Sequence, residues 1–260
     1  MKAADLETKH EYIKTGLHAL DDLLGGGVSL SCITEIYGLQ SVGKSTLALQ
    51  IVAAAQKAGH PCLFSDTEYQ FTSDYAASLG VINSELDLTR MRLAEDTFDA
   101  IQTWTENHKR GLIVLDSMGG VLPREESEKG AEGKSIGLQS RLMAAFCRKI
   151  IGLLDENKCS LLVVNHEVTN IATGAIGSSG GAKLSYHKRY SIRLRPLFGK
   201  QGSRASDGTK RIKPIEAELK KEKNIDTREG KKIELTFEAG RGFVNPDEVT
   251  QVKRGRPVKV

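Results

Sequence analysis

The stretch that decides the fold reads Gly38-Leu39-Gln40-Ser41-Val42-Gly43-Lys44-Ser45 and has the complete spacing G-x-x-x-x-G-K-[ST]. The apolar run Cys32–Tyr37 before it predicts a strand, and Ser45–Ala58 after it predicts a helix that Gly59 closes. Glycines let successive backbone N–H groups face an anion, and the helix N-terminus adds the positive end of its dipole. The pattern therefore predicts a strand, loop and helix that bind the phosphates of a nucleotide.

Two side chains of this loop carry the chemistry of a nucleoside triphosphate site. In such a motif Lys44 reaches the β- and γ-phosphates, and the Ser45 hydroxyl is a ligand of Mg²⁺. The site also needs a carboxylate on the metal side. Asp116 stands where one belongs, directly after the apolar run Leu112–Leu115. The alternative for Asp116 is an ordinary turn residue at the end of a strand.

The group that positions the attacking water is left open between two carboxylates. Asp66 and Glu68 both follow the predicted strand Pro61–Ser65. The carboxyl end of that strand should lie beside the phosphates, so either side chain is placed to hold a water near the γ-phosphate. A surface loop is the alternative for both.

The rest of the chain predicts an α/β fold. Short apolar runs bounded by polar residues are typical of strands that are buried on both faces of a parallel sheet, and Leu112–Leu115 and Leu161–Val164 are of this kind. Leu138–Leu154 between them has apolar residues every three or four positions and predicts a helix. Ile215–Leu219 and Lys231–Phe237 alternate as strands do, which indicates an antiparallel edge.

Composition excludes several classes of protein. Apolar residues make up 39% and glycines number 26, which is ordinary for a globular domain. No apolar run approaches the roughly 18 residues of a membrane span, and acidic residues interrupt the N-terminus. The four cysteines show no CxxC spacing and lie in or beside apolar stretches, so we expect buried thiols rather than disulfides or zinc ligands. Secreted, fibrous and membrane classes are therefore excluded.

The net charge of +4 conceals a strong asymmetry. Residues 1–182 carry 16 basic and 23 acidic side chains, whereas residues 183–260 carry 21 basic and 10 acidic ones. The excess of basic residues in the C-terminal part favours a polyanion such as nucleic acid as its partner, and a solvated basic face is the alternative.

Two segments, Glu125–Gly137 and Glu167–Lys183, are rich in Gly, Ser and charge. Long loops of this kind are usually functional or disordered.

Six short signatures follow one another along the chain. They are Thr15-Gly16…Leu20-Asp21…Leu24-Gly25-Gly26-Gly27, Glu35-Ile36-Tyr37-Gly38, Asp66-Thr67-Glu68 with Tyr75-Ala76…Leu79-Gly80-Val81, Val114-Leu115-Asp116-Ser117, Val164-Asn165-His166 and Gly180-Gly181. In this order and spacing they resemble the ATPase core of the RecA-type recombinases of bacteria and phages. The resemblance implies a RecA-type P-loop NTPase core at residues 12–250, with a mostly parallel central sheet flanked by helices and an antiparallel C-terminal edge. Residues 1–11 would form a short N-terminal segment and residues 251–260 a basic tail.

Carried over by position, the resemblance implies roles for residues around ATP and Mg²⁺. Glu68 becomes the water-activating carboxylate, and Ser45 and Asp116 hold the metal. His166 becomes the γ-phosphate sensor where many relatives have Gln, which places a group that titrates near neutral pH at this position. Tyr75 would stack on adenine, its alternative being an aromatic of the helix core. The nucleotide-binding residues are Gly38, Leu39, Gln40, Ser41, Val42, Gly43, Lys44, Ser45, Thr46 and Tyr75.

The resemblance also implies contacts between subunits. Lys221 and Lys223 precede Phe243 by 22 and 20 residues, the position of a lysine pair that reaches the γ-phosphate of a neighbouring subunit in bacterial members. A cation supplied in this way stabilises charge that develops in phosphoryl transfer. A solvated charge cluster is the alternative.

The two unexplained segments fall where the family keeps its DNA-contacting loops, at Pro123–Gly137 and Glu167–Gly181. Ile171 and Ile176 would contact bases as apolar wedges. The basic tail resembles an AT-hook, whose arginines lie in the minor groove, and a nonspecific basic tail is its alternative. The candidate DNA-binding residues are Arg124, Lys129, Lys134, Ile171, Ile176, Gly180, Gly181, Arg254 and Arg256.

The sequence thus predicts an ATP-dependent DNA recombinase that binds single-stranded DNA and pairs it with a homologous duplex. It should be a DNA-dependent ATPase that self-associates into a filament or ring, in the cytoplasm of a bacterium or of a host cell if phage-encoded. Compared with bacterial members, the N-terminal arm that joins subunits is expected to be short or absent, and no C-terminal domain is expected. The alternatives are a nonfilamentous accessory ATPase that modulates a recombinase and a hexameric replicative helicase motor.

Overall fold

A computed structural model describes residues 11–129, 137–169, 174–179, 181–197, 212–222 and 228–249. The segments predicted as the N-terminal segment and the basic tail lie almost wholly outside these residues. The strands are β1 (Tyr12–Ile13), β2 (Val28–Ser29), β3 (Cys32–Gly38), β4 (Cys62–Asp66), β5 (Leu86–Thr89), β6 (Leu112–Asp116), β7 (Ser160–Thr169), β8 (Ile176–Ser178), β9 (Tyr190–Pro196), β10 (Ile212–Glu222), β11 (Lys232–Glu238) and β12 (Gly242–Val244). The helices are α1 (His18–Leu24), α2 (Lys44–Lys57), α3 (Ser73–Ser78), α4 (Ala94–Asn107), α5 (Arg124–Lys129), α6 (Leu138–Asn157) and α7 (Gly181–His187).

A large central sheet organises the molecule. Its strands lie in the order β12-β11-β10-β9-β3-β7-β6-β4-β5. The strands from β9 to β5 run parallel to one another, whereas β10, β11 and β12 extend the sheet antiparallel at one edge. β8 turns back to pair with the end of β7. The predicted α/β fold, with its parallel centre and antiparallel C-terminal edge, is confirmed.

Side chains of the central strands belong to two apolar cores, one on each face of the sheet. Successive residues of a strand point to opposite faces, so Val114 packs with α1 and α2 while Ile113 and Leu115 pack with α4 and α6. Because both faces are covered, these strands are apolar at almost every position. The carboxyl ends of β3, β4, β6 and β7 meet at one edge, and the predicted site residues follow those ends.

The structure extends some predicted elements and adds others. The predicted strand Leu161–Val164 is part of β7, which continues to Thr169 because β8 pairs with its far end. Residues 167–169 and 176–178 of the second unexplained segment are therefore paired strands. The strand β9 was not predicted, although Ser191, Arg193 and Arg195 alternate with its apolar residues as they do in a strand. The Ser191 hydroxyl donates a hydrogen bond to the buried Glu35, and Arg193 pairs with Glu167.

The described helices include none that is long and apolar enough to cross a membrane. All four cysteines, Cys32, Cys62, Cys147 and Cys159, are buried and form no disulfide. Burial raises the pKa of the thiols, to about 11 for Cys32 and to about 12 for Cys62 and Cys147. The cysteines are thus unreactive core side chains, as their apolar sequence surroundings predicted.

Candidate active site

The loop between β3 and α2 wraps closely against its neighbours. A Cβ atom at Gly38 would lie 2.2 Å from the carbonyl oxygen of Leu194 in β9, so no larger residue fits there. Gly43 has φ +102° and a Cβ atom there would meet the ring of Phe243 at 3.0 Å. Two glycines at this spacing are therefore required for the loop to fold back over the N-terminus of α2.

Lys44 closes this loop. Its Nζ donates hydrogen bonds to the carbonyl oxygens of Gly38 (3.2 Å) and Leu39 (2.9 Å), and the residue is almost fully buried. Burial lowers the pKa of Lys44, while the carboxylates of Asp116 and Glu68 act in the opposite direction. The ammonium is thus held at the rim of a cavity that contains both carboxylates.

The cavity beside the loop measures about 260 Å³ and joins residues from four strand ends. Lys44 and Ser45 follow β3, Glu68 follows β4, Asp116 ends β6 and His166 lies within β7. The side chains predicted to hold phosphate, metal and water are therefore gathered in one place. The lining residues are Gln40, Ser41, Gly43, Lys44, Ser45, Thr46, Glu68, Gln70, Asp116, Val164, His166 and Phe237.

Asp116 is the most deeply buried carboxylate of this cavity. Its pKa is raised to about 6, mainly by burial; the carboxylates of Glu68 and Asp66 add to this rise, and a hydrogen bond with Ser45 opposes it. The peptide bond between Asp116 and Ser117 is cis. The Ser45 hydroxyl and the Asp116 carboxylate are thus adjacent oxygen-bearing groups on the wall of the cavity.

Glu68 is held by two hydrogen bonds at the mouth of the cavity. The Ser117 hydroxyl donates to Glu68 Oε1, and His166 Nε2 lies 3.0 Å from the same oxygen. Burial raises the pKa of Glu68, but these two hydrogen bonds together with the charges of His166 and Lys44 outweigh it, so the pKa lies below its usual value. Glu68 is therefore an ionised carboxylate in contact with the predicted sensor residue.

Asp66, the other carboxylate that the sequence left open, has different contacts. Its oxygens accept hydrogen bonds from the backbone amides of Gln70 (3.1 Å) and Phe71 (3.0 Å) and from Nε of Arg90 (3.0 Å). All of these partners shape the turn after β4. Asp66 thus stabilises the loop that carries Glu68.

Tyr75 lies in a second cavity of about 160 Å³ that shares Ser45, Glu68 and Asp116 with the first. Its hydroxyl is 2.7 Å from Oγ1 of Thr46 in α2, which fixes the ring next to the phosphate loop. The remaining lining residues are the apolar Leu49, Phe64 and Phe71 and the polar Asp66, Gln70 and Thr72. The predicted contact of Tyr75 with adenine stays a prediction.

Residues 1–231 match the family model of the RecA N-terminal domain. The chain belongs to the RecA family. It is 36% identical to Protein RecA of Sulfurimonas denitrificans over 198 residues, which cover 74% of this chain and 57% of that protein. It is 33% identical to Protein RecA of Deinococcus radiodurans over 240 residues, 90% of this chain and 64% of that protein. Protein RecA of Bordetella petrii is 30% identical over 258 residues. The chain spans little more than half the length of several curated RecA relatives that it matches.

The RecA resemblance implied a pair of lysines that act on a neighbouring subunit, and one of them is described. Lys221 lies in β10, and its Nζ donates a hydrogen bond to the backbone carbonyl of Ser185 in α7. The structure thus places this ammonium against its own chain. Lys223 lies outside the described residues, and the role of the pair stays a prediction.

The first predicted RecA DNA loop is partly helical. The sequence Arg-Glu-Glu-Ser-Glu-Lys forms α5, so the prediction of a loop is wrong for residues 124–129. Its residue types favour helix and explain the difference. The Arg124 guanidinium pairs with Asp96 of α4, and its amide donates to Glu95. The side chain of Lys129 and all of Lys134 lie outside the described residues.

The second predicted DNA loop contains the hairpin of β7 and β8. Ile176 is 48% exposed and Val168 is 44% exposed, and both lie near the tip. Gly181 begins α7. Ile171, Gly180, Arg254 and Arg256 lie outside the described residues, so their predicted contacts with DNA stay predictions.

Sequence reasoning missed a buried polar cluster directly behind the cavity. Glu35 in β3 contacts Lys188, Ser191 and Asn165, although it stands in an otherwise apolar strand. An acidic residue inside the run CITEIY was the one signal available, because a buried carboxylate needs a partner. The partner is 153 residues away in sequence, so spacing did not reveal it.

Proposed function

We propose that this chain is the ATPase core of a DNA recombinase. It binds ATP with Mg²⁺, hydrolyses ATP when single-stranded DNA is bound, and pairs that DNA with a homologous duplex. Membership of the RecA family supports the proposal, and the relatives above are each named Protein RecA. The observation that carries it is the convergence of Lys44, Ser45, Glu68, Asp116 and His166 in one cavity.

The residues of the cavity fit ATP and a divalent cation. Asp116 is buried beside Glu68 and Asp66, and this crowding of negative charge is relieved when a cation binds. Ser45 and Asp116 would hold Mg²⁺, and Lys44 would contact the phosphates. When bound, the metal neutralises charge on the phosphate oxygens.

The chain's own groups would then divide the chemistry between them. Glu68 is ionised, so it orients the attacking water and accepts its proton. His166 contacts Glu68 at 3.0 Å, so it is placed to respond when a phosphate enters between them. The amides of the phosphate loop and Lys44 stabilise the charge that develops on the phosphate oxygens.

The proposal assigns DNA contact to three parts of the chain. The exposed apolar side chains Val168 and Ile176 at the β7–β8 hairpin suit contact with bases of single-stranded DNA. Helix α5 and the residues after it form the second contact. The basic tail with Arg254 and Arg256 would contact duplex phosphates or an A·T-rich minor groove. Subunits would assemble as a filament or ring in the cytoplasm. Lys221 would there exchange the carbonyl of Ser185 for a neighbour's nucleotide, together with Lys223.

A pairing assay tests this function. The protein is incubated with a labelled single-stranded oligonucleotide, a homologous or a heterologous duplex, and Mg²⁺ with or without ATP. We expect joint molecules that require both ATP and homology. Nucleotide binding without any joint molecules would contradict the recombinase function and favour the accessory ATPase.

A further inference from the structure

A buried ion pair lies behind the active-site cavity. Glu35 is in the middle of β3, three residues before the phosphate loop, and its side chain is fully buried. Lys188 follows α7, its side chain is 6% exposed, and its Nζ pairs with Glu35 Oε2. The Ser191 hydroxyl donates to the same oxygen at 2.7 Å. The ammonium also lies 5.8 Å from the centre of the Tyr37 ring.

The other oxygen of Glu35 connects this pair to the end of β7. Asn165 Nδ2 donates to Glu35 Oε1 (3.0 Å) and to the carbonyl oxygen of Ser179 (2.6 Å). In return, Asn165 Oδ1 accepts from the Ser179 hydroxyl and from the backbone amide of His166 (3.0 Å). The orientation of the Asn165 amide is thus fixed by Glu35 on one side and by Ser179 on the other.

The cluster touches both ends of the β7–β8 hairpin. The Ser179 amide donates to the carbonyl oxygen of His166 at 2.9 Å, and Lys188 Nζ is 3.4 Å from the hydroxyl of Ser178. His166 is therefore held at its amide by Asn165 and at its carbonyl by Ser179, while its ring contacts Glu68. A shift of the hairpin changes the hydrogen bonds that hold His166, and a shift of His166 changes those that hold the hairpin.

A buried ion pair is by itself weak evidence for stability, because an apolar pair of the same volume is often equally stable. Its value lies in fixing one arrangement of the groups around it, since each buried donor and acceptor must keep its partner. Here those groups belong to the strand that enters the phosphate loop and to the hairpin that is the candidate DNA contact. The position of the pair between two functional segments is what distinguishes it from an ordinary core contact.

We propose that Lys188, acting through Glu35 and Asn165, is a positioning residue that couples the β7–β8 hairpin to His166 and the nucleotide cavity. The inference rests on the proposed function, since it takes the cavity to hold nucleotide and the hairpin to contact DNA. Coupling between two sites is reciprocal in binding free energy. Nucleotide should therefore alter the hairpin even when no DNA is present.

The test is hydrogen exchange of the hairpin amides of residues 174–179, measured with and without a non-hydrolysable ATP analogue and Mg²⁺. The main variant is Glu35→Gln with Lys188→Met, which removes both charges and leaves neither one buried alone. Lys188→Arg keeps the charge, and Lys57→Met, an exposed lysine of α2, is the matched control. Ser179→Ala removes a single hydroxyl and is the milder variant, to be used if the double variant does not fold. Circular dichroism checks that each variant is folded.

We expect the analogue to change exchange of the hairpin in the wild type and in Lys57→Met. The double variant should bind the analogue within about threefold of wild-type affinity yet show no change of exchange at the hairpin. Lys188→Arg should restore part of the response, and Ser179→Ala should weaken it.

A folded double variant with a wild-type response would overturn the inference and leave the pair a structural contact. A wild-type hairpin that does not respond to nucleotide would overturn it as well. The proposed function fails separately: if the hairpin responds but single-stranded DNA does not stimulate ATP hydrolysis, the coupling stands and the recombinase function falls.

Discussion

Glu68 and Asp116 share one cavity, but their surroundings shift their pKa values in opposite directions. The pKa of Glu68 is lowered, because hydrogen bonds from Ser117 and His166 act against the effect of burial. The pKa of Asp116 is raised to about 6, mainly by burial. Glu68 is ionised without a metal, so it suits the role of orienting and deprotonating a water molecule. The negative charge of Asp116 is unfavourable in its buried position until a cation binds, so Asp116 suits the role of metal ligand.

Glu68→Gln should separate ATP binding from ATP hydrolysis. The amide is isosteric and leaves the phosphate loop untouched, so nucleotide affinity should be retained. The loss of a proton acceptor should lower the hydrolysis rate by about 10²- to 10⁴-fold. Fluorescent nucleotide titration and phosphate release measure the two quantities, with the exposed Glu85→Gln as control. Normal hydrolysis by Glu68→Gln would show that another group activates the water.

Asp116→Asn should stabilise the protein that lacks nucleotide and Mg²⁺ while it abolishes hydrolysis. The pKa of Asp116 is about 6 when folded, against an ordinary value of 3.8. Between these values the folded state binds more protons than the unfolded state, so the free energy of unfolding falls as pH rises and stays low at neutral pH. The full difference is about 3 kcal/mol.

Urea unfolding at pH 4 and pH 7 measures this effect. The wild type should lose stability between the two pH values relative to Asp116→Asn, which lacks the titrating group. Equal pH dependence of the two proteins would show that Asp116 is not destabilised by its charge.

At the scale of the elements, α2 is attached to the antiparallel edge by one side chain. The Gln50 amide accepts a hydrogen bond from the Phe243 amide and donates one to the Phe243 carbonyl, both at 2.8 Å. It therefore pairs with β12 as a neighbouring strand would. The ring of Phe243, packed edge-to-face on Phe237, lies against Gly43 of the phosphate loop.

Gln50→Ala should loosen this contact between α2 and β12. The two backbone groups of Phe243 would lose their partners, which costs about 1–3 kcal/mol for each that is left unsatisfied. Gln102→Ala removes only an exposed contact with Glu106 in α4, so it should change stability by no more than about 0.5 kcal/mol. Urea unfolding of both variants checks the comparison, and equal stabilities would contradict the role of Gln50.

The sequence predicted two kinds of strand. β3, β6 and the first half of β7 are largely apolar because helices cover both faces of the sheet, and β10 and β11 show alternation. β9 also alternates but was not predicted; its Arg193 and Arg195 pair with Glu167 and Glu216, which lie far away in sequence. The last residues of β7, Glu167–Thr169, pair with β8 alone. The local sequence of this part of β7 therefore gives little indication of a strand.

The candidate site was predictable where a motif fixes spacing. Lys44 and Ser45 follow from the phosphate loop, and Asp116 follows from the end of an apolar strand. The residues alone left Asp66 and Glu68 open, and only the family resemblance chose Glu68. No local pattern shows that the amides of Gln70 and Phe71 donate hydrogen bonds to Asp66 in the turn after β4. The Glu35–Lys188 pair could not be predicted, because its two residues are far apart in sequence and meet only in the folded chain.

At the scale of the whole molecule, charge and candidate DNA contacts are distributed differently. Residues 183–260 hold 21 of the 37 basic side chains. The β7–β8 hairpin precedes this region and exposes apolar side chains instead. Contacts with bases at the hairpin and with phosphates through the basic C-terminal part would thus be separate, and only the second should weaken strongly as salt rises.

The rate of ATP hydrolysis with and without single-stranded DNA tests the central claim most directly, because it reports the cavity and the DNA contact together. Phosphate release is measured at saturating ATP and Mg²⁺ with and without an excess of polydeoxythymidine, for the wild type and for Lys44→Ala. We predict stimulation of at least about tenfold, equivalent to 1.4 kcal/mol of activation free energy, and no turnover by Lys44→Ala. The same rate with and without DNA, or undiminished turnover by Lys44→Ala, would contradict the assignment of this chain as a DNA-dependent ATPase.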